Sequence, residues 1–181
     1  MKNRFIAGVI TICMMICMLC PMMAFGDADK DMVKATQFNV VLAVDGSPSL
    51  VGGKGTDPNG VRYDAVELFL GLLTDKGNNV GAIVFNGTDP LALNTGLNEA
   101  SGFKAKNEIL SQVKNTDIDK YTDVGTAALE AVDTLKDVKN DMPSVAILMT
   151  DGKTEMETAD KEKQSLKNKE KAIEKANEYD I

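Results

Sequence analysis

Three small oxygen-bearing side chains stand at alternate positions in Asp45-Gly46-Ser47-Pro48-Ser49, directly after the apolar run Val40 to Val44. A carboxylate and two hydroxyls converging on one point suit a hard cation such as Mg²⁺. A second aspartate, Asp151, follows another apolar run, Val145 to Met149, and Thr122 lies in the polar stretch from Asp117 to Gly125. What the chain lacks narrows the chemistry further. It contains no histidine, which excludes a Ser-His-Asp triad, a His-ligated zinc and a histidine general base. Its three cysteines, Cys13, Cys17 and Cys20, all fall within the first 20 residues. A phosphohydrolase using Asp45 as nucleophile would want Asp-x-Asp, and Ser47 occupies the second position. The residues therefore point to cation binding rather than catalysis.

The elements around these residues place them. Val40 to Val44 is a short, β-branched, nearly continuous apolar run ending in turn residues, the pattern of a strand buried on both faces in a parallel sheet. Val51 to Gly60 is dense in glycine and turn formers and reads as a loop; it matches neither phosphate-binding glycine pattern. Val66, Phe69, Leu70 and Leu73 lie at the i, i+3, i+4, i+7 spacing of one buried helix face. Val80 to Phe85 reads as a second strand, and Leu91 to Leu93 as a short strand pairing back after the Asn86–Pro90 turn. Two helices are expected next. One runs from Gly102 to Val113 with Phe103, Ile109, Leu110 and Val113 inward; the other runs from Thr126 to Val138 with Ala128, Leu129, Val132 and Leu135 inward. Val145 to Met149 is another buried strand, and Thr158 to Tyr179 a charged helix with a thin stripe of Leu166, Ile173 and Ala176. Strands alternating with helices imply right-handed crossovers and a mostly parallel sheet. The carboxyl ends of its strands share one edge, where ligands bind in open α/β sheets. Asp45, Ser47, Ser49, Thr122 and Asp151 would meet there.

Formal net charge is −7, and without Lys2 and Arg4 it is −9, which argues against a nucleic-acid surface. Lys2 and Arg4 precede an apolar stretch from Phe5 to Phe25 with a small-residue exit, Ala24-Phe25-Gly26. That is the layout of a secretory signal peptide over residues 1–26, followed by a polar, flexible lead-in over 27–36. The alternative is an uncleaved anchor, the sole route by which this chain would touch a membrane; Pro21 interrupts it. A lipoprotein anchor at Cys20 is disfavoured by the bulky Leu19. Each reading places the domain outside the cytoplasm.

Taken together, Asp45-Gly-Ser-Pro-Ser49, Thr122-Asp-Val-Gly-Thr-Ala-Ala-Leu129 and Val145-Ala-Ile-Leu-Met-Thr-Asp151-Gly152 resemble the metal-ion-dependent adhesion site (MIDAS) of the von Willebrand factor A (vWA) domain family. The resemblance extends over residues 37–181. It implies a Rossmann-like, doubly wound α/β fold with helices on both faces. It also implies direct ligation by Ser47, Ser49 and Thr122, with Asp45 and Asp151 acting directly or through water. Neutral hydroxyls around the ion leave it electrophilic, ready to take an Asp or Glu carboxylate from a protein ligand. The resident ion would be Mg²⁺ or Mn²⁺ in preference to Ca²⁺, and the protein would not be an enzyme. Asp123 is expected to be a loop or capping residue rather than a ligand.

Three departures from the family pattern stand out. Pro48 replaces a common glycine, the 51–60 loop is long, and the sequence stops at Ile181, where the family begins another strand. The resemblance thus implies a partial domain with an open sheet edge at the Asp151 strand. The competing reading is a scaffold domain with an unused metal site.

Overall fold

A computed structural model describes residues 36–51, 54–87, 91–152 and 154–181. The expected export segment, and the lead-in up to residue 35, lie outside the described residues. The order is β1 (Asn39–Asp45), a 3-10 turn (Pro48–Leu50), α1 (Val61–Leu72), β2 (Asn79–Phe85), β3 (Leu93–Asn94), β4 (Asn98–Glu99), α2 (Gly102–Lys114), α3 (Val124–Lys136), β5 (Ser144–Met149) and α4 (Ala159–Tyr179). β1 lies at the centre, parallel to β2 on one side and to β5 on the other. β3 and β4 pair antiparallel with successive stretches of β2. The expected return strand is present, although pairing begins at Leu93 rather than Leu91.

All seven residues of β1 are buried, so alternate side chains feed two cores. Val40, Leu42 and Val44 pack with Val66 and Leu70 of α1 and Ile109, Leu110 and Val113 of α2. Val41 and Ala43 pack with Val124, Ala127, Ala131 and Leu135 of α3. Helices thus cover both faces, the doubly wound arrangement. At the amino end of the sheet the buried Asn39 fixes the register. Its amide donates to Asn140 Oδ1 (2.8 Å), and its carbonyl accepts from Asn79 (2.9 Å). Asn39 thereby stands opposite both Asn79 and Ser144, and the ladders run on to Asp45 opposite Phe85 and Val44 opposite Met149.

Three helix faces differ from the periodicity. Phe103 is 80% exposed. The inward row is Lys106, Ile109, Leu110 and Val113, with Lys106 buried because its ammonium reaches the Leu73 carbonyl (2.7 Å) and Asp75 (3.0 Å). On α3, which starts at Val124 rather than Thr126, the sheet-facing row is Val124, Ala127, Ala131 and Leu135. Ala128 and Leu129 are half-buried. On α4, Leu166 and Ile173 are each 54% exposed, while Ser165 and Ala172 are buried. α4 packs along α3, and small side chains at the contact let the two backbones approach. β5 is half-buried rather than buried, with Leu148 38% exposed, because it forms the sheet's edge among the described residues.

These burials set an expected contrast. Leu42→Ala should cost about 2–5 kcal/mol, the usual penalty for a cavity in a packed core. Leu166→Ala should stay within about 0.5 kcal/mol, as exposed positions do. Urea unfolding followed by circular dichroism measures both, and equal losses would contradict the assigned face of α4.

Candidate metal centre

The chain leaves β1 through a carboxylate that has almost no access to water. Asp45 is 1% exposed, and a buried charge must be met by donors. Two meet it: the Ser47 amide donates to Oδ1 (2.8 Å) and the Thr150 hydroxyl to Oδ2 (2.7 Å). The second bond follows from register. Val44 pairs with Met149, so the next residue on each strand, Asp45 and Thr150, emerge side by side. Gly46 then threads a tight gap, its N–H donating to the Phe85 carbonyl (2.7 Å). A Cβ there would lie 2.9 Å from Val84 Cγ1.

Ser47 occupies the N-cap position of the 3-10 turn but makes no side-chain capping bond. Its hydroxyl instead lies 2.9 Å from that of Ser49. Ser47 is buried and Ser49 exposed, so the pair runs from the interior to the surface. The 51–60 loop folds back over this turn: the Thr56 and Asp57 amides donate to the Ser49 and Leu50 carbonyls (3.0 and 2.8 Å). Thr56 Oγ1 also reaches Asp151 Oδ2 (3.4 Å). The long loop therefore borders the site.

Thr122 comes from a separate loop and is buried at 3% exposure. Its backbone is held by a two-way bridge to Glu155, with bonds of 2.7 and 3.0 Å. Its loop is tied to the β1 terminus where the Asp119 amide donates to the Gly46 carbonyl (3.3 Å). Of the two roles expected for Asp123, loop or cap, it takes the cap: its carboxylate accepts the Thr126 amide (2.9 Å) and hydroxyl (2.7 Å). Asp151 is exposed and follows Thr150 at the end of β5. Asp45, Ser47 and Ser49 thus form one bonded group, with Thr122 and Asp151 on the same sheet edge in flanking segments. Sequence reasoning missed Thr150 and Thr56. Thr150's adjacency to Asp151 was visible, but its bond to Asp45 depends on a strand register that no local pattern encodes.

The donor set fits a hard cation. Mg²⁺–oxygen bonds of about 2.0–2.1 Å place neighbouring octahedral ligands about 2.9 Å apart, the separation of the Ser47 and Ser49 hydroxyls. Among the described residues, no group of three or more Asp, Glu, His or Cys side chains is placed to hold a metal. Hydroxyls would have to make up the shell, as this edge provides. Beside Asp151 and Thr150 lies a cleft of about 400 Å³, bordered by Leu50, Asp57, Arg62 and Met149.

Arg62 and Asp57 build one wall of that cleft. Arg62 Nη1 donates to Asp57 Oδ2 (2.7 Å), and its guanidinium lies 4.2 Å from the Tyr63 ring centre. Asp57 also accepts the Val61 and Arg62 amides (2.6 and 3.2 Å) at the start of α1. Partial burial, the largest single influence, raises the Asp57 pKa; its Arg62 and backbone hydrogen bonds together outweigh this and hold it below 3.8.

With these observations in hand the chain can be classified. The sequence profile described as von Willebrand factor type A domain matches residues 39–178, and the chain belongs to that family. No functionally curated protein matches it significantly. Among solved structures it is similar to a von Willebrand factor type A protein from Catenulispora acidiphila, with 20% identity and a TM-score of 0.58, over 78% of this chain and 31% of that one. It is also similar to the pilus adhesin SpaC from Lactobacillus rhamnosus GG, with 22% identity and a TM-score of 0.56, over 67% of this chain and 16% of that one. This chain therefore spans under a third of either relative.

Because the folded-state pKa of Asp57 is lowered, its stabilisation is complete above about pH 4 and is lost as pH falls through the folded-state value. Asp57→Asn should lower stability at pH 7 by about 1–2 kcal/mol and flatten the dependence below pH 4. Urea midpoints at pH 7, 4 and 3 check this; parallel pH profiles for the two proteins would refute it.

Proposed function

We propose that this chain is an extracytoplasmic vWA binding module that engages a protein ligand through a divalent cation. Ser47, Ser49 and Thr122 would hold Mg²⁺ or Mn²⁺ directly, with Asp45 and Asp151 acting directly or through water. The bound ion would supply an electrophilic site for an Asp or Glu carboxylate presented by the partner. The supporting observation is the Ser47–Ser49 hydroxyl pair, spaced as cis ligands of an octahedral ion and anchored on a buried carboxylate. Adhesion or surface assembly is the context that fits. The fold is shared with SpaC, described as a pilus adhesin, and the amino-terminal sequence has the layout of an export signal. No enzymatic role is assigned: hydroxyls occupy positions where a metallophosphatase would carry a further carboxylate.

One observation favours the scaffold reading. Asp45 bonds to Ser47 and Thr150, and the two serine hydroxyls bond to each other, so these oxygens have protein partners of their own.

Calorimetric titration of the protein with Mg²⁺ and Mn²⁺ separates the two readings. The binding reading expects saturable one-to-one association, reduced at least about tenfold in Asp151→Ala and abolished in Asp45→Ala. Asp151 is exposed, so its variant should keep the parent's circular dichroism. A folded protein that takes up neither ion would leave the scaffold reading standing.

A further inference from the structure

α4 carries a feature at odds with its composition. On a helix rich in Lys and Glu, the side chain most completely withdrawn from water is Ser165, 1% exposed. Its hydroxyl accepts the Gly125 N–H (3.1 Å). Gly125 stands in the first turn of α3, where amides have no partner within their own helix. Capping there is normally the work of the residue just before the helix. In α3 it is shared: Asp123 takes the Thr126 amide, and another helix supplies the oxygen for Gly125. Asn168, three residues on, donates to Thr126 Oγ1 (3.0 Å), which in turn donates to Asp123 Oδ2 (2.7 Å). The fit extends to the backbone, since a Cβ on Gly125 would lie 1.7 Å from the Ser165 carbonyl oxygen. Only glycine allows this approach.

Thr122 immediately precedes this capped turn. It is gripped on one side by the Glu155 bridge, in the segment leading into α4, and on the other by the cap that Ser165 and Asn168 complete. Both grips come from the chain following β5. We propose that Ser165, assisted by Asn168, is a positioning residue for the cation: it fixes where the Thr122 hydroxyl stands relative to the Asp45–Ser47–Ser49 group. This inference rests on the cation reading given above. Residues that orient metal ligands typically influence affinity by about 10–100-fold without touching the ion.

The test uses the full chain with Mn²⁺ as probe, at a temperature where each variant is folded. Ser165→Ala should weaken Mn²⁺ binding about tenfold, and Asn168→Ala should do so to a lesser degree; Leu166→Ala, on the exposed face, should bind as the parent does. In a Thr122→Ala background, Ser165→Ala should cause no further loss. A purely structural role would lower the melting temperature of Ser165→Ala while leaving its affinity equal to the parent's, and that result would overturn the proposal. So would an undiminished loss in the Thr122→Ala background. If Ser165→Ala does not fold, Asn168→Ala carries the same comparison.

A second measurement separates this inference from the cation reading. Amide exchange at Thr122 in the metal-free protein should be about fivefold faster in Ser165→Ala, the worth of one hydrogen bond, with Leu42 unchanged. A parent protein that binds no Mn²⁺ would overturn the cation role. Unchanged exchange at Thr122 would overturn the positioning itself.

Discussion

The burial of one carboxylate organises this molecule. Asp45 ends the central strand with its charge almost wholly removed from water, an arrangement that costs several kcal/mol unless donors surround it. One donor comes from the turn that follows and the other from a strand about 100 residues later. The turn conformation and the β1–β5 register are therefore linked through a single side chain. Asn39 performs the complementary task at the opposite end of the same strand, pairing with Asn79 and Asn140. A one-residue slip between β1 and β5 would separate Asp45 from Thr150 and Asn39 from Asn140 together. In a strand apolar on both faces, where burial pattern alone specifies register weakly, these polar ends supply the specificity.

Much of this was legible in the sequence. The strand containing Val40 to Val44 announces itself through uninterrupted β-branched residues and an abrupt turn, and the alternation of strands with helices implies parallel crossovers. Those two inferences suffice to put Asp45 and Asp151 on one edge. That Asp123 is a loop or capping residue rather than a ligand was also readable; that it is the N-cap emerged only once the helix was seen to start at Val124 rather than Thr126. What could not be read depends on contacts between segments distant in sequence. Thr150 partners Asp45 through register. Phe103, in the first turn of α2, stays 80% exposed, while Lys106 is buried, which its charge argues against until Leu73 and Asp75 are found to receive it.

α4 shows most clearly why periodicity can mislead. Leu166, Ile173 and Ala176 form the only apolar stripe on an otherwise charged helix, and hydrophobic patterning assigns that stripe to the interior. The structure buries Ser165 and Ala172 instead. The choice is governed by distance: α4 approaches the first turn of α3 at Gly125 so closely that there is no room for a large side chain between the backbones. Small residues win where two backbones must touch, and a serine wins where one of those backbones has an amide to satisfy.

The same geometry bears on how accurately the proposed ligands would be held. Hydroxyls are weak, neutral donors, so an ion held mainly by them gains little from charge and depends on oxygens already standing in place. Ser47 and Ser49 are placed by a short turn whose conformation the buried carboxylate dictates. Thr122 sits in a mostly polar loop that is tied to the β1 terminus by one backbone bond, from the Asp119 amide to the Gly46 carbonyl. Further support comes from Glu155 on one flank and from the cap shared by Asp123, Ser165 and Asn168 on the other. On the proposal above, a charged helix with little apolar surface of its own would serve the sheet edge by holding one loop in place, through backbone contact and two hydrogen bonds rather than through hydrophobic mass.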